Sequence, residues 1–482
     1  MHIFTLPDEL LLDIASHICF VRAFGHAPGI NSTHQDSNQQ CLDTLRSLCA
    51  TSKRLRSICE PRLYTTLIVE PGRPPHRLAR YLRTIFTRPV LRQHLKRVYA
   101  AALNTYGKDA AFVPEKVIYS DDWVINEWSS FRWLPFRALA TREAKRIWAG
   151  SGQLRTMAWI SNLVVSPEQP LLALVLGMAC KTLEDVTITS FDEDGPCLDA
   201  VLGLHNRTPE LVRACSLSFP RLQRLDLAVA CINRDRVYFH CAPQRLPSLT
   251  FLQLWGSAEI DHEINAGSSP VTTLNMLQRS GGGLPPTALQ RLPSIEVLAF
   301  EWVTFEIPEN WNFGNMHMLL SNQKHSLQSL TLGAINYKVH TEIDPFQPFR
   351  HLGSFRDFAC LRVLKIAVFF LLGAPFGIMF LVDRKRGFWW TNERLSVRIS
   401  ELLPASLEHF EITNDVGLGE HALVLRELAD DCSRLPLLKF VHLDRCPGPF
   451  DYLATKFAVH GVCLTTHWDD DSPVSHPELI TY

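Results

Sequence analysis

Phe219-Pro220-Arg221-Leu222-Gln223-Arg224-Leu225-Asp226-Leu227 holds the pattern that decides the fold. Its last six residues read apolar-x-x-apolar-x-apolar. The same phrase returns as Leu183/Val186/Ile188, Leu249/Leu252/Leu254, Ile295/Leu298/Phe300, Leu327/Leu330/Leu332, Leu361/Leu364/Ile366, Leu407/Phe410/Ile412 and Leu438/Val441/Leu443. The lead-in repeats too, as Leu246-Pro247-Ser248-Leu249, Leu292-Pro293-Ser294-Ile295 and Leu435-Pro436-Leu437-Leu438. Residues two apart on a strand share a face, so the last two apolar positions point to one side of a short strand and the first lies in the turn entering it. One such unit buries little, but stacked units form a parallel sheet over a shared core. Leu225 and Leu227 are therefore expected in that core, with Arg224 and Asp226 facing solvent or a partner.

This pattern is that of a leucine-rich repeat. The copies start 27 to 46 residues apart, longer and less regular than usual. The set resembles the irregular leucine-rich repeats of many fungal-type F-box proteins, with extra loops or helices between strands. Two weaker copies precede it, at Leu95/Val98/Ala100 and Leu154/Met157/Trp159. The rival reading is an unrelated α/β domain with hydrophobic strands.

The N-terminus begins Leu6-Pro7-Asp8-Glu9-Leu10-Leu11-Leu12-Asp13-Ile14, continues at Leu45-Arg46-Ser47-Leu48-Cys49 and closes on Glu60-Pro61-Arg62-Leu63-Tyr64. Pro7 suits a first helical turn, where its missing N–H costs nothing, and Asp8 and Glu9 favour the positive end of the helix dipole. Leu10, Leu11 and Ile14 recur at helical spacing with Leu6 beside them. Leu42, Leu45, Leu48, Cys49 and Leu55 read as one side of a second helix, opposite Arg46, Lys53, Arg54 and Arg56. Phe20 to Gln40 has the glycine, proline and asparagine content of a loop, and reads as an insertion between the two helices.

This ordered combination resembles an F-box. The resemblance implies a Skp-type linker protein on the surplus apolar surface, met by Leu6, Pro7, Leu10, Leu11 and Ile14 with Leu45 and Leu48, and through it a cullin-based ubiquitin ligase. The expected fold class is α/β: an N-terminal helical F-box followed by an irregular leucine-rich-repeat solenoid with a parallel β-sheet on its concave face. The expected division is residues 1–66 as the F-box-like domain with a loop at 20–40, 67–180 as a transition region, and 181–482 as the solenoid with its C-terminal cap.

Composition suits an intracellular globular chain. Of 482 residues 46% are hydrophobic, and the formal net charge of −1 gives no electrostatic reason for nucleic acid or an anionic membrane as partner. The 13 cysteines are odd in number and form no C-x-x-C pair, as expected of reduced thiols in cytosol or nucleus. No secretory signal pattern opens the chain. Ile366 to Val382 is uncharged and precedes Asp383-Arg384-Lys385-Arg386, the minimum length for a bilayer span. Gly373, Pro375 and Gly377 interrupt it, and a buried strand followed by a turn is the preferred reading.

Arg77, Arg80, Arg83, Arg88, Arg92, Lys96 and Arg97 interleave with Leu78, Leu82, Ile85, Phe86 and Leu91. This is the pattern of a helix with one packed and one solvated face, rather than of a nucleic-acid helix. The tryptophans from Trp123 to Trp159 are expected in packing. The phosphate-binding, nucleophile-elbow and zinc-protease motifs are missing. Gly281-Gly282-Gly283, Asp192-Glu193-Asp194-Gly195 and His240-Cys241 lack the spacing of phosphate, calcium and zinc sites. No cofactor and no catalytic residue is expected. The reading is a non-enzymatic adaptor whose repeats hold a target protein; the alternative is a repeat scaffold without ligase attachment.

Overall fold

Each repeat phrase becomes a turn and a parallel strand. The computed structural model describes residues 6–18, 32–69, 76–100, 134–148, 163, 168–192, 201–202, 204–205, 217–230, 237–239, 245–256, 258–260, 269–278, 289, 292, 294–306, 313–338, 352–367, 370–371, 398–413, 420–444 and 451–467. Twelve parallel strands make up the main sheet, and the chain divides into two units, Met1–Val271 and Thr272–Tyr482.

In the first unit the strands are β1 (Thr66–Val69), β2 (Arg97–Ala100), β3 (Asp185–Asp192), β5 (Arg224–Ala230) and β7 (Phe251–Gly256). A small separate sheet is formed by β4 (Leu204–His205), β6 (Val237–Phe239) and β8 (Ala258–Ile260). The second unit carries β9 (Thr273–Gln278), β10 (Val297–Glu306), β11 (Ser329–Lys338), β12 (Val363–Ile366), β13 (His409–Ile412), β14 (Phe440–Asp444) and β15 (Cys463–His467). Within each unit the spatial order of main-sheet strands follows the chain. A doubly wound α/β sheet reverses direction at a switch point. A sheet that always adds its next strand beside the last is solenoid-like, as the repeat pattern implies.

All three apolar positions of all eight phrases are buried, the most exposed being Leu438 at 5%. The turn holds the first of them: Leu222 N donates to Phe219 O at 3.2 Å, Leu249 N to Leu246 O at 3.2 Å and Leu438 N to Leu435 O at 3.1 Å. The next carbonyl then accepts two successive N–H groups from the following repeat. Gln223 and Arg224 both donate to Glu184 O, Arg362 and Val363 to Gln328 O, and Glu408 and His409 to Arg362 O. This forked backbone bond recurs at most steps among the described residues and sets the register there.

Helices cover the core side. They include α4 (His76–Thr87), α5 (Leu134–Ile147), α6 (Glu168–Ala179), α7 (Phe313–Ser321), α8 (Ile399–Leu402), α9 (Glu420–Asp430) and α10 (Asp451–Val459). On α4, Leu78, Leu82 and Ile85 are buried while Arg80 and Arg83 are exposed, the two-faced helix expected of that basic stretch.

The N-terminal helices are α1 (Asp8–His17), α2 (Ser32–Thr51) and α3 (Lys53–Leu63). Three expectations change here. Residues 32–40 are helical, not loop: Gln39 Nε2 donates to Asp43 Oδ2 at 2.8 Å, Thr44 Oγ1 donates to Gln40 O at 2.7 Å, and Asn38 is buried. Packing of Leu42 and Leu45, with polar groups satisfied along the helix, overrides a turn-like composition. Leu55 is on a third helix, because Ser52 is extended and its hydroxyl accepts from Leu55 N at 3.0 Å, capping a new start. Asp226 is 3% exposed and thus buried, in register with buried Thr187 on β3 and Gln253 on β7. None of these three is unpartnered, which is how a polar row survives burial.

The phrase also recurs beyond the eight copies that share the clear spacing. Val271/Leu274/Met276 repeats it on β9, all three buried, inside the long interval between Leu249 and Ile295. Leu95/Val98/Ala100 is buried likewise, with Val98 and Ala100 on β2, and β1 pairs beside it, so the sheet begins at Thr66. Leu154/Met157/Trp159, Trp123, Trp128 and Trp133, Gly281 to Gly283, His240-Cys241 and residues 372–382 lie outside the described residues, as do 193–195 of the acidic stretch. Ile366 ends β12 and Phe370 and Leu371 are buried; among the described residues no helix is long and apolar enough to cross a membrane.

Candidate functional site

The face of α1 turned away from the protein is the first candidate. Leu11 and Ala15, four residues apart, bury against Leu42 and Leu45 of α2 and Leu55, Ile58 and Cys59 of α3, with Leu6, Leu48, Cys49 and Leu63 at the margin. Leu10 and Ile14, also four apart but rotated by about 100°, are 49% and 44% exposed. Pro7 is exposed beside them.

The seven residues expected to meet a linker protein therefore separate. Leu11 and Leu45 are spent on the internal core, at 3% and 0% exposure. Leu6 and Leu48 are half-buried, and Pro7, Leu10 and Ile14 are exposed. Leu12, 44% exposed, was not singled out in the sequence. Three consecutive leucines on a helix cover nearly its whole circumference, so the pattern alone could not say which faced inward.

The same cluster includes Ile68 of β1 and Tyr99 of β2. Both lie on the face of the sheet opposite the repeat core, since they alternate with Leu67 and Val98. The helices thus cover the first strands, and β1 is buried at all four residues. Tyr99 Oη donates to Asp185 Oδ2 at 2.9 Å and ties this contact to β3. Arg88 forks onto Glu60 from α4's end, at 2.6 and 2.5 Å, and holds the Glu60 carboxyl below the usual carboxylate range.

The second candidate is the face of the second unit's sheet opposite its core. The third and fifth positions of each phrase stand there: Val297, Ser329, Val363, His409 and Phe440 in one row, Ala299, Thr331, Lys365, Glu411 and His442 in the next. Lys365 Nζ is 2.7 Å from Glu411 Oε2, and His409 Nε2 is 3.6 Å from that oxygen. Burial pushes the His409 imidazole down, so it is neutral at neutral pH. His442 Nδ1 shares a 2.8 Å hydrogen bond with Thr465 Oγ1.

Burial raises the Cys59, Cys180 and Cys432 thiols and takes Cys49 to about 11, which keeps them protonated. Among the described residues no group of three His, Cys, Asp or Glu is placed to hold a metal ion. No protein-family model matches the chain, and no curated protein matches it significantly.

Proposed function

We propose that the protein is a substrate-selecting adaptor of a Skp, cullin and F-box ubiquitin ligase, with the N-terminal helices holding the linker and the repeats holding a target protein. The observation that carries this reading is α1, a short helix apolar on two sides. Leu11 and Ala15 use one side internally, while Leu10 and Ile14 stand exposed together on one flank of it and Leu12 on the other. Exposed apolar side chains grouped in this way suit a protein contact. The expected setting is cytosol or nucleus, and the role needs no cofactor or catalytic group.

The scaffold reading has one observation in its favour: α1 to α3 share a core with Ile68 and Tyr99, as a solenoid cap would. Capture of a purified Skp-type linker by the full chain, compared with the Leu10→Ala/Ile14→Ala variant, separates the two. Loss of capture in a variant that melts like the parent supports the adaptor. Absence of capture by the parent, or capture that survives the double change, leaves the scaffold.

A further inference from the structure

The charge of this chain is unevenly placed. Residues 53–97 hold twelve lysines and arginines against two acidic residues, a formal charge of +10 in a chain whose total is −1. Much of it lies on α3, α4 and the short 3-10 helix Pro89–His94 that follows. Arg80, Thr84 and Arg88 come at intervals of four, and the backbone bond from Arg88 N to Thr84 O carries the helical path to the last of them. They therefore line one side of α4 over about 12 Å, with Arg80 and Arg88 exposed. On α3, Arg56 is exposed too, and its Nε donates to Cys49 O at 3.1 Å, which steadies the guanidinium. The two rows of charge meet where Arg88 forks onto Glu60.

Glu60 is the one carboxylate among these cations, and it is already held by Arg88, with Arg56 and His94 acting on it as well. Lys53, Arg62, Arg80, Arg83 and Arg92 make no ion pair among the described residues. Like charges gathered in this way oppose the folded state, and an incoming anion relieves them. A second observation narrows the anion. Pro89 and Val90, set between Arg88 and Arg92, are exposed, Val90 at 66%. The surface is thus cationic with an apolar step inside it. A sugar-phosphate backbone has no group to cover that step, and among the described residues of the first unit no large exposed apolar side chain is aromatic, as stacking on bases requires.

We infer that α3, α4 and the 3-10 helix form a docking surface for an acidic segment of another protein, in which aspartates or glutamates flank an apolar side chain. Arg56, Arg80 and Arg92 take the carboxylates, and the apolar side chain covers Val90. Arginine suits this role because its planar fork meets a carboxylate with two parallel bonds. The surface uses neither the exposed leucines of α1 nor the strands of the repeats, so its failure and the failure of the proposed function are separate outcomes.

The test selects random dodecapeptides on phage against the full chain and removes those also held by a chain carrying Arg80→Glu and Arg92→Glu. Peptides kept only by the parent should share carboxylates on both sides of an apolar residue. A synthetic consensus peptide should bind the charge-reversed chain at least about tenfold more weakly, and its affinity for the parent should fall as salt is raised. Val90→Ser should weaken it by about threefold. Arg221→Glu with Arg356→Glu, the same change of charge at exposed positions elsewhere, should leave it unaltered. Melting curves show whether the variants remain folded; replacing the carboxylates of the peptide by amides, read on the unaltered chain, should abolish binding whichever way the variants behave. Failure to obtain peptides specific to the parent, or a consensus peptide indifferent to the loss of its carboxylates, overturns the inference. A short DNA duplex that binds more tightly than the peptide and is released by the same charge reversal overturns it too, in favour of nucleic acid.

Discussion

Arg54 Nε donates to Asp8 Oδ1 at 2.7 Å while its Nη2 donates to the Leu6 carbonyl at 2.7 Å, so a residue in the first turn of α3 holds the start of α1. Both side chains are well exposed, and such pairs contribute under about 1 kcal/mol. Arg54→Ala should therefore barely change the denaturant midpoint. If α1 presents a linker-binding face, the same change should weaken linker capture measurably, because it frees the helix end. A loss of several kcal/mol on unfolding would mean that Arg54 is structural in a way this exposed geometry does not account for.

Leu10 and Leu11 are neighbours in sequence with opposite fates. Leu11→Ala should cost on the order of 2–5 kcal/mol in urea unfolding, and Leu10→Ala less than about 0.5 kcal/mol. Equal costs would refute the orientation of α1.

On β5 the contrast between Leu225 and Asp226 is narrower than alternation alone suggests. Leu225→Ala should cost about 2–5 kcal/mol. Asp226, buried and partnered, should cost about 1–3 kcal/mol as Asp226→Ala, instead of the near-neutral effect of a solvated residue. Chemical denaturation of the two variants side by side decides between them.

Gly353 has φ +111°, and a Cβ there would come within 2.7 Å of His317 Nδ1. Gly353→Ala should destabilise by roughly 1–3 kcal/mol. His317 also packs edge-on against Phe355 and Phe358, so its shift is resisted. Adding His317→Ala should relieve the clash while the backbone strain persists; full recovery would show the strain to be negligible.

Glu60 links stability to acidity. Its folded-state value is lowered, first by the Arg88 hydrogen bonds, from the ordinary 4.5. The stabilisation is complete above that ordinary value and is lost as the pH falls through the lower folded one. Because Arg88 is half exposed, solvent screening keeps the effect small, under about 1 kcal/mol. The stability gap between the parent and Arg88→Ala should be constant near neutrality and close on acidification below 4.5. A gap that widens there would contradict the pair.

The repeat core was legible in the sequence because its signal is local and redundant. Leu222, Leu225 and Leu227 need only the period of a strand and a preceding turn to be read, and seven similar phrases support them. Val271/Leu274/Met276 escaped through its lead-in, which lacks the Leu-Pro-Ser form, although the spacing is the same. The two-sided character of α4 followed in the same way from interleaved arginines and leucines.

Long-range partners decided the rest. Ser32 to Gln40 carries loop-forming residues, yet folds as helix because Leu42 and Leu45 anchor it to α1 and α3. The choice among Leu10, Leu11 and Leu12 belongs to α2 and α3, and the burial of Asp226 to neighbours on other strands. Arg56 and Arg80 share a surface because Arg88 meets Glu60, a contact that no local pattern announces. Periodicity determines which residues share a face of one element. Only the stacking of strands determines what that face meets, since register sets side by side residues whose separation in the chain carries no signal.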